Sequence, residues 1–156
     1  MKPFFFSVAI CLIVCTSCNW QSQTQPTGSE PPHPDVKEAI GFINIFFDKY
    51  KNEGTSKAFD YIFSTNKTVN GLEALKSKID SARVVLGDFT GFEKITEKDA
   101  SNGLVLFSYL VKHKNQPIRF TFIFYKPQNN WILYKFNYDA DVTDELINSG
   151  KIYFIR

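Results

Sequence analysis

Cysteine is missing from everything beyond position 18. The three thiols, Cys11, Cys15 and Cys18, all stand near the start of the 156-residue chain. A disulfide-stapled fold, a cysteine nucleophile and a zinc–cysteine site are therefore excluded from the rest. Charge of one sign is lacking as well. The 18 basic and 16 acidic side chains leave a formal net charge of +2 and are scattered in sequence. A nucleic-acid surface calls for a concentrated basic face, so no nucleic-acid partner is expected. There is also no long hydrophobic run. The longest, Phe4 to Val14, has 11 residues, against the roughly 20 that a spanning helix needs.

That short run follows Lys2 and precedes the small polar residues Thr16 and Ser17, an order that suits the apolar stretch of a secretory signal peptide. The segment Cys15-Thr16-Ser17-Cys18 resembles a bacterial lipoprotein signal, although that family usually has an aliphatic residue where Cys15 stands. The resemblance implies a signal peptide over residues 1–17, lipidation of Cys18, and a membrane-anchored envelope protein facing the periplasm. The other readings are a secreted protein cut near Ser17 and a redox pair formed by Cys15 and Cys18. The redox pair lacks its usual place, after a strand and opening a helix. From Asn19 to Pro34 the chain is rich in Gln, Ser, Thr and Pro. Such a segment buries too little surface to offset its ordering entropy, and residues 18–34 read as the lipidated Cys and a tether.

Residues 35–156 read as one domain. Sixteen phenylalanines, three of them in the leader, supply ample core. Asp35, with Glu38 three residues on, opens a helix in the manner of a capping box. Its stripe is Val36, Ala39, Ile40, Ile43, Phe46, Phe47 and Tyr50. A second helix spans Ser56 to Phe63, with Phe59, Ile62 and Phe63 inward. A third starts at Asn70 and stops at Gly87. The period then changes to two, giving strands Phe89–Thr96, Leu104–Lys114, Ile118–Tyr125 and Trp131–Asp139. Beyond them, Thr143–Asn148 reads as a helical turn and Ile152–Ile155 as a short strand.

Parity divides those strands into two faces. With Lys114 opposite Pro117 and Tyr125 opposite Trp131, one face carries Tyr109, Phe122, Ile132, Tyr134 and Phe136 and receives the helices. The other face mixes Leu106, Leu110, Ile123, Trp131 and Leu133 with Lys112, Arg119 and Lys135. That face is too apolar to be simply solvated and too charged to be a second core. Expected, then, is an α+β fold with N-terminal helices packed on a curved antiparallel sheet of about four strands.

Helices followed by an aromatic meander resemble the nuclear-transport-factor-2-like (cystatin-like cone) superfamily. The resemblance rests on Ala39-Ile40-Gly41-Phe42-Ile43, on Arg119 to Lys126 and on Trp131 to Phe136. It implies a cone whose pocket residues would be Tyr109, Phe122 and Tyr134. That superfamily includes isomerases, dehydratases, ligand carriers and interaction modules, so fold alone does not choose among them. No mid-strand carboxylate falls on the expected core face to serve as a general base, and no catalytic residue is assigned. Asp139, Asp141, Asp144 and Glu145 lack calcium-loop spacing, because Gly150 stands where the bidentate Glu belongs. No cofactor or metal is expected. The reading is a non-enzymatic lipoprotein whose half-apolar face (Lys112, Arg119, Trp131, Lys135) binds a second copy or an envelope partner. The alternatives are a carrier or sensor of a small apolar ligand in a cone pocket and an isomerase- or dehydratase-like enzyme.

Overall fold

The structure, a computed structural model, describes residues 35–68, 70–144 and 147. Three helices come first: α1 (Lys37–Asn52), α2 (Thr55–Phe63) and α3 (Leu72–Leu86). Four strands follow: β1 (Phe89–Ser101), β2 (Leu104–His113), β3 (Ile118–Tyr125) and β4 (Ile132–Asp139). All pairs are antiparallel, in the order β1-β2-β3-β4. The fold is α+β, as expected. The leader, Cys18 and the tether lie outside the described residues, as does the strand expected over 152–155. Of the turn expected over 143–148, the described residues Thr143, Asp144 and Ile147 are helical.

The helices form where apolar residues recur at helical spacing. Ala39, Ile43, Phe46, Phe47 and Tyr50 of α1 are buried, and Val36 and Ile40 pack partly against them. The capping box does not form. Val36 holds the N-cap position, and Glu38 turns away from Asp35 to accept the Trp131 amide at 3.3 Å. Gly87 ends α3 at φ 80°, a conformation glycine tolerates best. A Cβ there would lie 3.2 Å from Lys114 Cβ. Lys76 ties α3 to α2, with its Nζ 2.5 Å from Asp60 and 2.7 Å from Glu73.

The core is an interlocked set of rings. Phe46 of α1 meets Phe59 of α2 at 5.1 Å and Phe122 of β3 at 5.3 Å, both edge-on. Phe136 of β4 lies 5.1 Å from Phe120 and 5.2 Å from Phe122. Edge-to-face contacts of this kind add about 0.5–1.5 kcal/mol each to the burial of the rings themselves.

Register departs from expectation in two ways. Val111 pairs with Ile118, so the β2–β3 hairpin is offset by two residues from the expected Lys114–Pro117 pairing. An even offset keeps every side chain on its expected face. In β4 the change is odd. Ile123 pairs with Lys135 but Phe124 pairs with Leu133, so Tyr134 is an extra residue, a bulge. One extra residue reverses the parity of everything before it. Leu133 and Trp131 therefore turn into the core, at 0% and 1% exposure, while Tyr134 turns out at 60%. The expected placements of Trp131 on the outer face and Tyr134 on the inner face are both corrected by this residue.

Candidate functional site

Directly paired residues of an antiparallel sheet share a face, so the register lays out the outer side of this sheet row by row. The first row is Glu93, Leu110, Arg119 and Asp139. The second is Thr96, Ser108, Thr121 and Asn137; the third is Lys98, Leu106, Ile123 and Lys135. A fourth, at the far end, has Leu104, Tyr125 and Ile132. The face thus runs from an acidic-cornered row, through a small polar row, to a basic-cornered row and an apolar end. At that end Leu104, Tyr125 and Tyr134 line a depression of about 290 Å³, where the two tyrosine rings meet edge-on at 6.4 Å.

The three cations expected together are not gathered. Lys112 donates to Glu93 of the neighbouring strand at 2.5 Å. Arg119 grips Asp139, its direct cross-strand partner, through Nε at 3.2 Å and a terminal nitrogen at 3.0 Å. Lys135 pairs opposite Ile123, four residues along β4 from Asp139, which at about 3.3 Å per residue is roughly 13 Å away. A single anion cannot bridge all three. Trp131, expected on this face, is an anchor instead. Its indole N–H donates to the Asp35 carbonyl at 3.1 Å, holding the start of α1 against β4.

The expected pocket residues are likewise separated. Tyr109 and Phe122 pack on each other at 6.0 Å, and Tyr109 also meets Phe47 at 5.5 Å and Phe92 at 5.8 Å. Rings of the protein fill the space around both, and Tyr134 stands on the opposite face. Burial, and secondarily the charge of Glu97, push the Tyr109 phenol up to about 12. Glu97 is itself engaged by Lys94 at 2.5 Å. Two shallow grooves lie elsewhere. One, of about 350 Å³, runs between α1 and β1 over Phe47, Phe89 and Phe92. The other, of about 190 Å³, lies where the start of α3 meets Tyr134 and Lys135.

Glu93, Lys98 and Asp139 complete the outer face, and parity did not reach two of them. β1 carries register shifts after Phe89, Lys94 and Asp99, and each breaks the alternation that assigns a face. The contrast of Lys98 with the apolar Leu106 opposite it was the available signal. Asp139 stood in the acidic run: it accepts the Asp141 amide at 3.0 Å as well as Arg119. Among the described residues no three metal-ligating side chains cluster, and no helix is long and apolar enough to cross a membrane.

No protein-family model matches the chain, and neither does any curated protein or solved structure.

Proposed function

We propose that the chain is a bacterial envelope lipoprotein, anchored through acylated Cys18, whose nuclear-transport-factor-2-like domain is a non-enzymatic interaction module that pairs with a second copy through the outer sheet face. The observation that carries this reading is the charge order of the rows. Rotation by 180° about the middle row sets each strand on its own counterpart and brings the first row of one copy onto the third row of the other. Glu93 then faces Lys98 of the other copy, Asp139 faces Lys135, and Leu110 faces Leu106. The middle row of Thr96, Ser108, Thr121 and Asn137 is small enough for close approach. Two-fold packing of one face on itself is the commonest form of oligomer, and complementary corners fix its register.

The face is small. Four strands about 4.8 Å apart over three row spacings present on the order of 400 Å² in projection. Stable interfaces bury about 800 Å² of accessible surface per partner, so association is weak in dilute solution. Confinement of two anchored copies to one membrane raises their effective concentration.

A carbodiimide joins carboxylates to amines without a spacer, and it tests the face on the full chain. Applied to a mixture of nitrogen-14 and nitrogen-15 copies in their membranes, it should join Glu93 to Lys98 and Asp139 to Lys135 across isotope labels. The doubly reversed chains K98E/K135E and E93K/D139K should each fail to pair with themselves and should pair with one another. Cross-links confined to other envelope proteins would contradict a second copy as partner. The anchor is tested separately: Cys18→Ser should abolish labelling by radioactive palmitate and release the chain from the membrane fraction. Retention of both would contradict the lipoprotein reading.

A further inference from the structure

Where β2 ends, His113 is 7% exposed and is held by aromatic neighbours. Its Nε2 lies 3.4 Å from the Tyr50 hydroxyl of α1, and the Phe89 ring of β1 stands 5.9 Å away. Its Nδ1 is buried without a hydrogen-bond partner. From α3, Arg83 lays its guanidinium 4.8 Å from the centre of the Tyr50 ring and donates to Thr55 at 3.2 Å. The charged and titratable groups that act at this corner are Tyr50 from α1, Arg83 from α3, and Asp80 of α3 through its effect on Tyr50. The nearest of these hold the ring in its neutral form. An imidazolium needs an acceptor at each nitrogen; here Nε2 meets one hydroxyl, no acceptor completes a bond to Nδ1 and a cation stands nearby, while the Val111 backbone favours the charged form.

The residues that follow His113 dock the β2–β3 hairpin onto the end of α3. Lys114 donates its amide to the Asp88 carbonyl and Asn115 donates its own to Leu86, each at 2.9 Å. The Asn115 side-chain amide donates to the Val85 carbonyl at 2.9 Å. These bonds lie at the surface, while the rest of β2 is locked between β1 and β3.

We infer that His113 is an acid-sensitive latch: protonation expels its ring from the Tyr50–Phe89 corner and undocks the hairpin tip from α3, leaving the central sheet intact. Two features of the structure distinguish this from general acid unfolding. The ring belongs to the terminal residue of its strand, so it can leave without breaking the ladder, and the bonds it strains are the three that join the hairpin to the end of α3 and to Asp88 just beyond it. Burial, opposed by a backbone hydrogen bond with Val111 and assisted by Arg83, lowers the His113 pKa from its ordinary 6.5. A lowered value means that the closed form is complete above pH 6.5 and is lost progressively as pH falls from there through the folded value. Each unit of lowering is a tenfold preference for the closed, neutral form.

Hydrogen exchange of the full chain, read by mass spectrometry at pH 7.5 and pH 5.0 and corrected for intrinsic rates, tests the latch. The Lys114 and Asn115 amides should lose protection at pH 5.0, while Phe107 and Phe122 keep theirs. His113→Gln, which is polar but does not titrate in this range, and His113→Phe should each show the same protection at the two pH values. Acid loss at Lys114 and Asn115 that persists in either folded variant would overturn the latch. So would equal protection of the wild-type chain at both pH values, or acid loss spread evenly over the sheet.

Discussion

The two sides of the sheet are made by the same strands, residue by alternate residue, yet they are built to different rules. The inner side is a continuous aromatic layer, with Phe107, Phe120, Phe122 and Phe124 all at 0% exposure; Phe120 is held by rings from α1, α2 and β4, and Phe107 and Phe124 by each other. The outer side alternates apolar and charged positions, and its ion pairs, Lys112–Glu93 and Arg119–Asp139, span neighbouring strands in contact with solvent. The first of these is exposed and contributes little to stability; the second is half-buried. Stability therefore resides on one side, and the proposed pairing draws on the other. Only one extra residue in β4 is needed to move Trp131 and Tyr134 between the two regimes.

Breaking the inner layer should have the largest effect. Phe122→Ala removes a ring touched by Phe46, Phe47, Tyr109 and Phe136, and should cost about 3–5 kcal/mol in chemical denaturation. Trp131→Ala belongs with it despite its expected outer position. It loses a buried indole together with the bond to Asp35, and should cost a similar amount. A loss below about 1 kcal/mol would place Trp131 on the outer side after all.

A smaller effect separates the sides by alkaline titration. Burial, opposed by Arg83 and assisted by Asp80, pushes the Tyr50 phenol up to about 12 from 10.0, and Tyr109 rises similarly. A raised folded value means that their contribution is complete below pH 10 and is lost as pH climbs from 10 towards about 12. Absorbance at the phenolate band should show these two ionising with the unfolding step. Phenolate formation at Tyr50 in the folded protein near pH 10 would contradict its burial. The smallest effect belongs to the outer side: Lys135→Ala should change stability by no more than about 0.5 kcal/mol in either direction.

Much of this contrast was legible in the sequence, for definite reasons. Helix stripes such as Ile43-Phe46-Phe47-Tyr50 and the strict alternation of Arg119 to Tyr125 carry their period openly, so elements and inner rings followed from them. Glycine at position 87 announced the end of α3. Parity failed where the ladder carries an extra residue. The bulge at Tyr134 leaves no mark in a run of residues all suited to strands, since Trp131, Leu133 and Tyr134 are acceptable on either face. The long, polar β1 was read only to Thr96 because its bulges interrupt alternation, and its charged residues Glu93 and Lys98 were missed as members of the face. The grouping of Lys112, Arg119 and Lys135 failed for another reason: parity gives the side of the sheet, whereas distance along it needs the register.

A lysine scan along β3 addresses the division of labour most directly, because neighbouring positions there differ in little except the side they face. Melting of the full chain and cross-linking between isotope-labelled copies would be measured for Phe120→Lys, Thr121→Lys, Phe122→Lys and Ile123→Lys. The even-numbered variants should fail to fold. Those at 121 and 123 should melt within a few degrees of the parent, since about 1 kcal/mol corresponds to roughly 4–8 °C in a domain of this size, and should lose the cross-links. Collapse of the Ile123→Lys domain alongside Phe122→Lys, or a folded Ile123→Lys chain that still cross-links as the parent does, would contradict the account.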